Sequence, residues 1–159
     1  MGSVDDYISQ ATDLLNRDDI AAAIQKYREA LKIDPNDPTA LTGLGTAFDE
    51  SGELESAIDC YNRALKADPD DIIARTGLGV AYEKKGNTNR ATREYRAALS
   101  LDEETASLQI AYARDRYEKS LSKEKEGHEL KAKELEERIG RYVSTTKVVD
   151  RLISKSPSK

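Results

Sequence analysis

The sequence predicts an all-α fold: a solenoid of three stacked helical hairpins, then a capping helix and a long amphipathic tail helix. Three observations predict it. Residues 4 to 105 repeat with a period of 34. Apolar residues within each repeat recur at intervals of three and four, as on one face of a helix. Glycine and proline fall where those apolar stripes end, which is where helices stop. A period of this length marks hairpins that cannot bury their apolar faces alone and stack in sequence to do so.

The repeats span residues 4–37, 38–71 and 72–105 and align without a gap. The second and third share 12 of 34 positions, among them Gly43-Leu44-Gly45 with Gly77-Leu78-Gly79, Gly52 with Gly86, and Ala57, Tyr61 and Ala64 with Ala91, Tyr95 and Ala98. The first and second share 10, including Ala23, Tyr27, Ala30 and Pro35. In the second repeat Leu41, Leu44 and Phe48 form one stripe, Gly52 interrupts, Leu54, Ala57, Ile58, Tyr61, Ala64 and Leu65 form another, and Pro69 ends it. Two short helices joined by a tight turn result. Asp37 before Pro38 supplies an N-cap and a proline at the first helical position. Gly45 and Gly79, with Ala57 and Ala91 opposite, are expected to let paired helices approach, while Tyr27, Tyr61 and Tyr95 fill the space between hairpins.

After the repeats, residues 106–121 read as a capping helix whose Leu108, Ala111, Tyr112, Ala113 and Tyr117 repeat the packing face of a first helix. Residues 122–129 are charged around Gly127 and predict an exposed helix or a hinge. Residues 130–154 predict an amphipathic helix, with Leu135, Ile139, Tyr142, Thr146, Val149 and Ile153 on one stripe. Glu134 with Arg138 and Glu137 with Arg141 add pairs at helical spacing. A helix with one apolar side needs a surface to cover it, so Leu135, Ile139, Tyr142, Val149 and Ile153 are the candidate tail interface, for a copy of itself, for another protein, or, given the tail's basic excess, for the acidic repeats of its own or a neighbouring chain. Heptad positions occupied by Glu124, Lys131 and Arg138 weaken the case for a long two-stranded coiled coil. Residues 155–159 are expected to be disordered.

Charge is polarised along the chain. Residues 1 to 105 carry 12 basic and 21 acidic side chains, a net of −9, and residues 106 to 159 carry 13 and 9, a net of +4. The overall −5 argues against a nucleic-acid partner, which would need a basic footprint. The single cysteine excludes an internal disulfide framework and points to a reducing, cytoplasmic setting. No apolar run is long enough for a membrane span.

Leu41, Leu44, Gly45, Phe48, Ala57, Tyr61, Ala64 and Pro69 resemble the tetratricopeptide repeat (TPR), with Leu41 in place of the usual tryptophan. The third repeat departs at Arg75 and Glu103, and the first at Tyr7, Gln10, Ala11 and Leu14. The resemblance implies a right-handed superhelix whose first helices line a concave groove. The residues left to face that groove are Ile8, Thr12 and Leu15; Thr39, Thr42, Gly43 and Thr46; and Ile73, Thr76, Gly77 and Val80, with Asp5, Ser9, Glu50 and Lys84 beside them. Some family members grip acidic C-terminal tails with a cationic clamp on this face. The five clamp positions fall here on Ile8, Thr12, Gly43, Ile73 and Gly77, none of them charged, so a carboxylate-clamp co-chaperone is not expected. Gly43 and Gly77 are read either as a shallow floor for a partner or as relief of crowding between first helices.

Catalytic chemistry is not expected. His128 stands alone in the charged stretch, so neither a histidine triad nor a multi-histidine metal site can be assembled. Cys60 is expected to be a semi-buried, inert thiol. Gly43-Leu44-Gly45 lies inside a helix and is no phosphate loop. The expected function is a scaffold or adaptor that holds a peptide or helix of a protein partner in the groove, without cofactor or metal. The alternative is self-assembly into a homo-oligomer through the tail helix or the groove.

Overall fold

The computed structural model describes residues 2–101 and 108–154, with side chains for 2–101 and 111–138. Among the described residues there are seven α-helices and no strand: α1 (Val4–Asn16), α2 (Ile20–Ile33), α3 (Pro38–Ser51), α4 (Leu54–Ala67), α5 (Ile72–Lys84), α6 (Thr88–Leu101) and α7 (Leu108–Ser154). The chain divides into two units, residues 1–121 and 122–159. The side chains of Leu108, Ile139, Tyr142, Thr146, Val149 and Ile153, and the expected disorder of 155–159, lie outside the described residues.

Local chemistry sets each boundary in the first unit. Ser3 Oγ accepts the Asp6 amide at 3.1 Å and Asp6 Oδ2 accepts the Ser3 amide at 2.8 Å, a reciprocal capping box that starts α1. These bonds hold the Asp6 carboxyl below its usual range. Asp19, Asp37 and Asp71 cap α2, α3 and α5 through the amides of Ala22, Ala40 and Ala74. The turns inside the hairpins recur as strictly as the helices. Asp18, Gly52 and Gly86 occupy equivalent positions with φ of 63°, 83° and 76°, a region open to glycine and tolerated by aspartate. The amides that follow them, Asp19, Glu53 and Asn87, donate back to the carbonyls of Leu14, Phe48 and Tyr82 at 2.8 to 2.9 Å, which closes each helix end.

Consecutive helices pack on one another from α1 to α6, and α3 also packs on the other first helices α1 and α5. Leu41, Leu44, Phe48, Leu78 and the interlocking alanines Ala11, Ala23, Ala57, Ala64 and Ala74 form the core. Tyr27, Tyr61 and Tyr95 are all buried. A Cβ at Gly45 would lie 2.7 Å from the Tyr61 ring, and one at Gly79 2.5 Å from the Tyr95 ring. The space left by these glycines is therefore filled by the tyrosine of the same hairpin, and is not a direct approach of two backbones.

In the initial part of α7, up to Leu121, Ala113 and Ser120 are buried while Ala111 and Tyr112 are exposed. The expected packing face is thus only partly the observed one: Ala113 turns inward and Ala111 and Tyr112 do not. Arg96 of α6 lies over the Tyr117 ring at 5.8 Å, and Arg116 Nη1 meets Glu83 Oε1 of α5 at 3.4 Å. In the second unit α7 is helical through 122–154, and a Cβ at Gly127 would meet nothing within 4 Å.

Among the hydrogen bonds that tie neighbouring hairpins, one joins α3 to the cap of α5. Thr42 Oγ1 donates to Asp71 Oδ2 at 2.6 Å, while Asp71 Oδ1 accepts the Ala74 amide at 2.9 Å. Asp71→Ala removes a helix cap and leaves the buried Thr42 hydroxyl unpaired, for an expected loss of about 2–4 kcal/mol in unfolding free energy. Denaturant unfolding checks this, with Thr42→Val expected to lose only about 1 kcal/mol, because the buried hydroxyl is gone and Asp71 Oδ2, on a half-buried residue, turns to water.

Candidate interaction site

The expected groove residues separate into three groups. Ile8 and Leu15 are half-buried and pack against the core, leaving little of either at the surface. Thr12 and Thr46, one period apart, serve the buried tyrosines. Thr12 Oγ1 donates to the Ile8 carbonyl at 2.9 Å and lies 3.2 Å from Tyr27 Oη; Thr46 Oγ1 donates to the Thr42 carbonyl at 3.1 Å and accepts from Tyr61 Oη at 3.3 Å. Burial pushes the Tyr61 hydroxyl far up, so it remains a donor. At the third such position Val80 has no hydroxyl, and Tyr95 Oη turns to Glu83 Oε2 at 3.0 Å instead.

Thr42 and Thr76 are buried. The hydroxyl of Thr42 is committed to Asp71, and Thr76 Oγ1 is buried without a hydrogen-bond partner. Gly43 and Gly77 sit against tyrosines of the preceding hairpin: a Cβ at Gly43 would be 2.4 Å from the Tyr27 ring, and one at Gly77 2.5 Å from the Tyr61 ring. Of the two readings of these glycines, the relief of crowding accounts for them, with the crowding group a tyrosine and not a first helix. Thr39 is exposed on the first turn of α3.

The third group is open. Ile73 is 52% exposed and Tyr112 42% exposed, each high for its type. Together with Thr46, Asp49, Tyr61, Thr76, Gly77 and Val80 they bound a cavity of about 220 Å³ formed by α3, α5 and the start of α7, with Tyr61 of α4 behind. Ile73, Thr76, Gly77, Val80 and Thr46 are therefore brought together, and Ile8, Thr12, Leu15, Thr39, Thr42 and Gly43 are not part of this cavity. Tyr112 and Asp49 also line it; the sequence assigned Tyr112 to a packing face and did not single out Asp49. Periodicity alone could have flagged Asp49, because it aligns with Glu83 and both sit at the last turn of a first helix.

Charges ring the cavity. Lys84 Nζ meets Asp49 Oδ2 at 2.7 Å; Arg116 engages Glu83 and donates through Nε to Tyr112 Oη at 3.0 Å, its guanidinium over that ring at 5.3 Å. Cys60 lies elsewhere, buried, and burial pushes its thiol up to about 11, so it is a poor nucleophile. His128 is exposed on α7. No cluster of three or more metal-ligating side chains occurs among the described residues, and no helix there is long and apolar enough to cross a membrane.

The tetratricopeptide repeat family model matches residues 8–72 and 42–107. The chain belongs to the tetratricopeptide repeat family. The TPR domain of Sgt2 from Aspergillus fumigatus superposes with a TM-score of 0.74 at 24% identity, covering 79% of this chain and 82% of that one. The TPR2B domain of yeast Sti1, solved as a complex with pHsp70, gives 0.71 at 19% identity over 76% of this chain and 97% of that one. The first TPR of Spaghetti (RPAP3), bound to the HSP90 peptide SRMEEVD, gives 0.69 at 17% identity over 76% and 91%. At these identities the likeness is one of TPR fold. No curated protein sequence matches the chain. The TPR fold supports a protein-protein interaction scaffold in general terms.

Proposed function

We infer that this TPR protein holds a peptide or helix of a partner protein on the face made by α3, α5 and the start of α7. The observation that carries this reading is the cavity bounded by Ile73, Val80 and Tyr112, where two large apolar side chains are exposed next to each other on a surface otherwise closed by tyrosines. Apolar anchors entering such a recess are the usual source of affinity in helix-in-groove and extended-peptide binding. Structural neighbours with bound chaperone peptides support a peptide partner as a class.

Their acidic ligands are not the expected guests here. At the five clamp positions Ile8 is half-buried, Gly43 and Gly77 are backed by tyrosine rings, Thr12 is spent on Ile8 and Tyr27, and Ile73 is apolar. The nearby cations Lys84 and Arg116 already answer Asp49 and Glu83. The reading is therefore of a non-clamp adaptor working in the cytoplasm without cofactor.

Val80→Arg puts an unpaired guanidinium on the cavity wall and is expected to weaken partner capture by at least about tenfold. Measuring capture by immobilised full-length protein, with a thermal melt to show the variant folded, checks it; unchanged capture by folded Val80→Arg removes the groove.

A second reading, self-assembly through the tail, is favoured by Leu130 and Leu135, 60% and 54% exposed on α7 of the second unit. A mass in solution above the monomer's 17.6 kDa that returns to it on truncation near Leu121 would support it.

A further inference from the structure

The cavity is lined mainly by apolar and uncharged side chains and by one carboxylate. Asp49 lines it, and its two oxygens differ: Oδ2 receives the Lys84 ammonium at 2.7 Å, whereas Oδ1 is buried without a hydrogen-bond partner. Thr76 Oγ1, also lining, is buried and unpaired as well. A carboxylate only accepts, and a buried acceptor left bare is unfavourable. The unmet demand at Asp49 is therefore for a donor. Glu50 follows Asp49 on α3, and both acidic groups act on Tyr61 beside the cavity. Residues 1 to 105 as a whole carry a net of −9, a field that draws cations.

Resting on the groove reading above, we propose that this cavity receives a lysine or arginine side chain of a partner polypeptide. Its aliphatic stem lies along Ile73, Val80 and Tyr112, and its cationic head donates to the bare Asp49 Oδ1 and competes with Lys84 for Oδ2. Side chains with an apolar stem and a charged tip match a recess lined mainly by uncharged side chains and by one carboxylate. A space of about 220 Å³ holds one such side chain and not a helix. Lys84 can yield, because its side chain is 46% exposed and its ammonium regains water on leaving. Arg116 does not compete, since Glu83 and the Tyr112 hydroxyl hold it. Lys84 is thus a resident competitor, and its removal should help a cationic guest where removal of Asp49's charge harms it.

The probe is a displayed library of random linear peptides, selected on the full-length chain. The expected result is enrichment of peptides with a lysine or arginine next to an apolar residue. Asp49→Asn should bind them about tenfold or more weakly, Lys84→Met should bind them at least as tightly as the parent, and added salt should weaken capture. Thermal melts establish that both variants fold. Enriched peptides that lack a basic residue, depend on Val80 and ignore Asp49→Asn would overturn the cationic anchor and leave the groove reading standing. Enrichment that ignores Val80→Arg, or no enrichment at all, would overturn both. A full-length chain that self-associates and becomes monomeric on Asp49→Asn would show that the guest is the basic tail of a second copy, and overturn the separate partner.

Discussion

Tyr61→Ala is expected to lower the unfolding free energy by about 3–5 kcal/mol, a large share of the roughly 5–15 kcal/mol that holds a domain of this size together. The ring is 2% exposed and is shared by two hairpins: it covers Gly45 of its own hairpin and Gly77 of the next. Removing it opens a void at a joint, where neither helix can close in without pulling on its own hairpin. The reciprocal change, Gly77→Leu, drives a side chain into the space the ring fills and is expected to cost about 3 kcal/mol, because overpacking at a wedged ring outweighs the roughly 1 kcal/mol gained by replacing a helical glycine. The two changes are therefore coupled. Tyr61→Ala with Gly77→Leu should lose less than the sum of the single losses by about 1 kcal/mol or more, measured by urea unfolding of the four proteins. Additive losses would show that ring and glycine are not one packing unit.

Replacing Arg75 and Glu94 together is expected to be neutral or to stabilise by about 1–2 kcal/mol, whereas Glu94→Met alone should destabilise by about 2–3 kcal/mol. Arg75 Nη1 lies 3.6 Å from Glu94 Oε2, both side chains are largely buried, and Arg75 Nε is buried without a hydrogen-bond partner, although Nη2 donates to the Pro69 carbonyl at 2.8 Å. Burial raises the Glu94 carboxyl above the usual range, and the Arg75 charge only partly offsets this. The sign follows: the folded state holds that proton more tightly than the unfolded chain, so Glu94's own contribution is most favourable at acid pH and declines as pH rises through the carboxylate range. The second hairpin carries the apolar alternative, since Leu41 and Cys60 occupy the same positions of the repeat and both are buried. Arg75→Leu with Glu94→Cys thus transplants a pair that the fold already accommodates. Thermal melts of the single and double variants at neutral and acid pH test it, and a double variant less stable than either single one would refute it.

The hairpins were legible because their signals are local. Gly52 and Gly86 mark turns, Asp37-Pro38 marks a helix start, and the apolar stripes between them recur one period on. Asp18 was not legible as a turn residue by type; only its alignment with those glycines reveals that it takes the same left-handed conformation. The site was less legible because its residues answer to neighbours one hairpin away. Thr42 reads as a groove hydroxyl, yet its partner Asp71 lies 29 residues along the chain. Gly43 reads as a floor until the Tyr27 ring behind it is seen. Ile73 and Val80, by contrast, both line the cavity. Tyr112 was misread as inward-facing because α7 does not continue the repeat's glycine and alanine pattern, so the register of its buried face could not be extrapolated.

The succession of contacts from α1 to α6, each helix touching only near neighbours in sequence, means that these hairpins have no keystone. Disorder should enter as fraying from the amino-terminal hairpin, which is braced on one side alone, and travel inward one unit at a time. Growth by duplication would add rungs without rewriting those already present, which is how a surface of fixed cross-section can be tuned in reach by gene length alone.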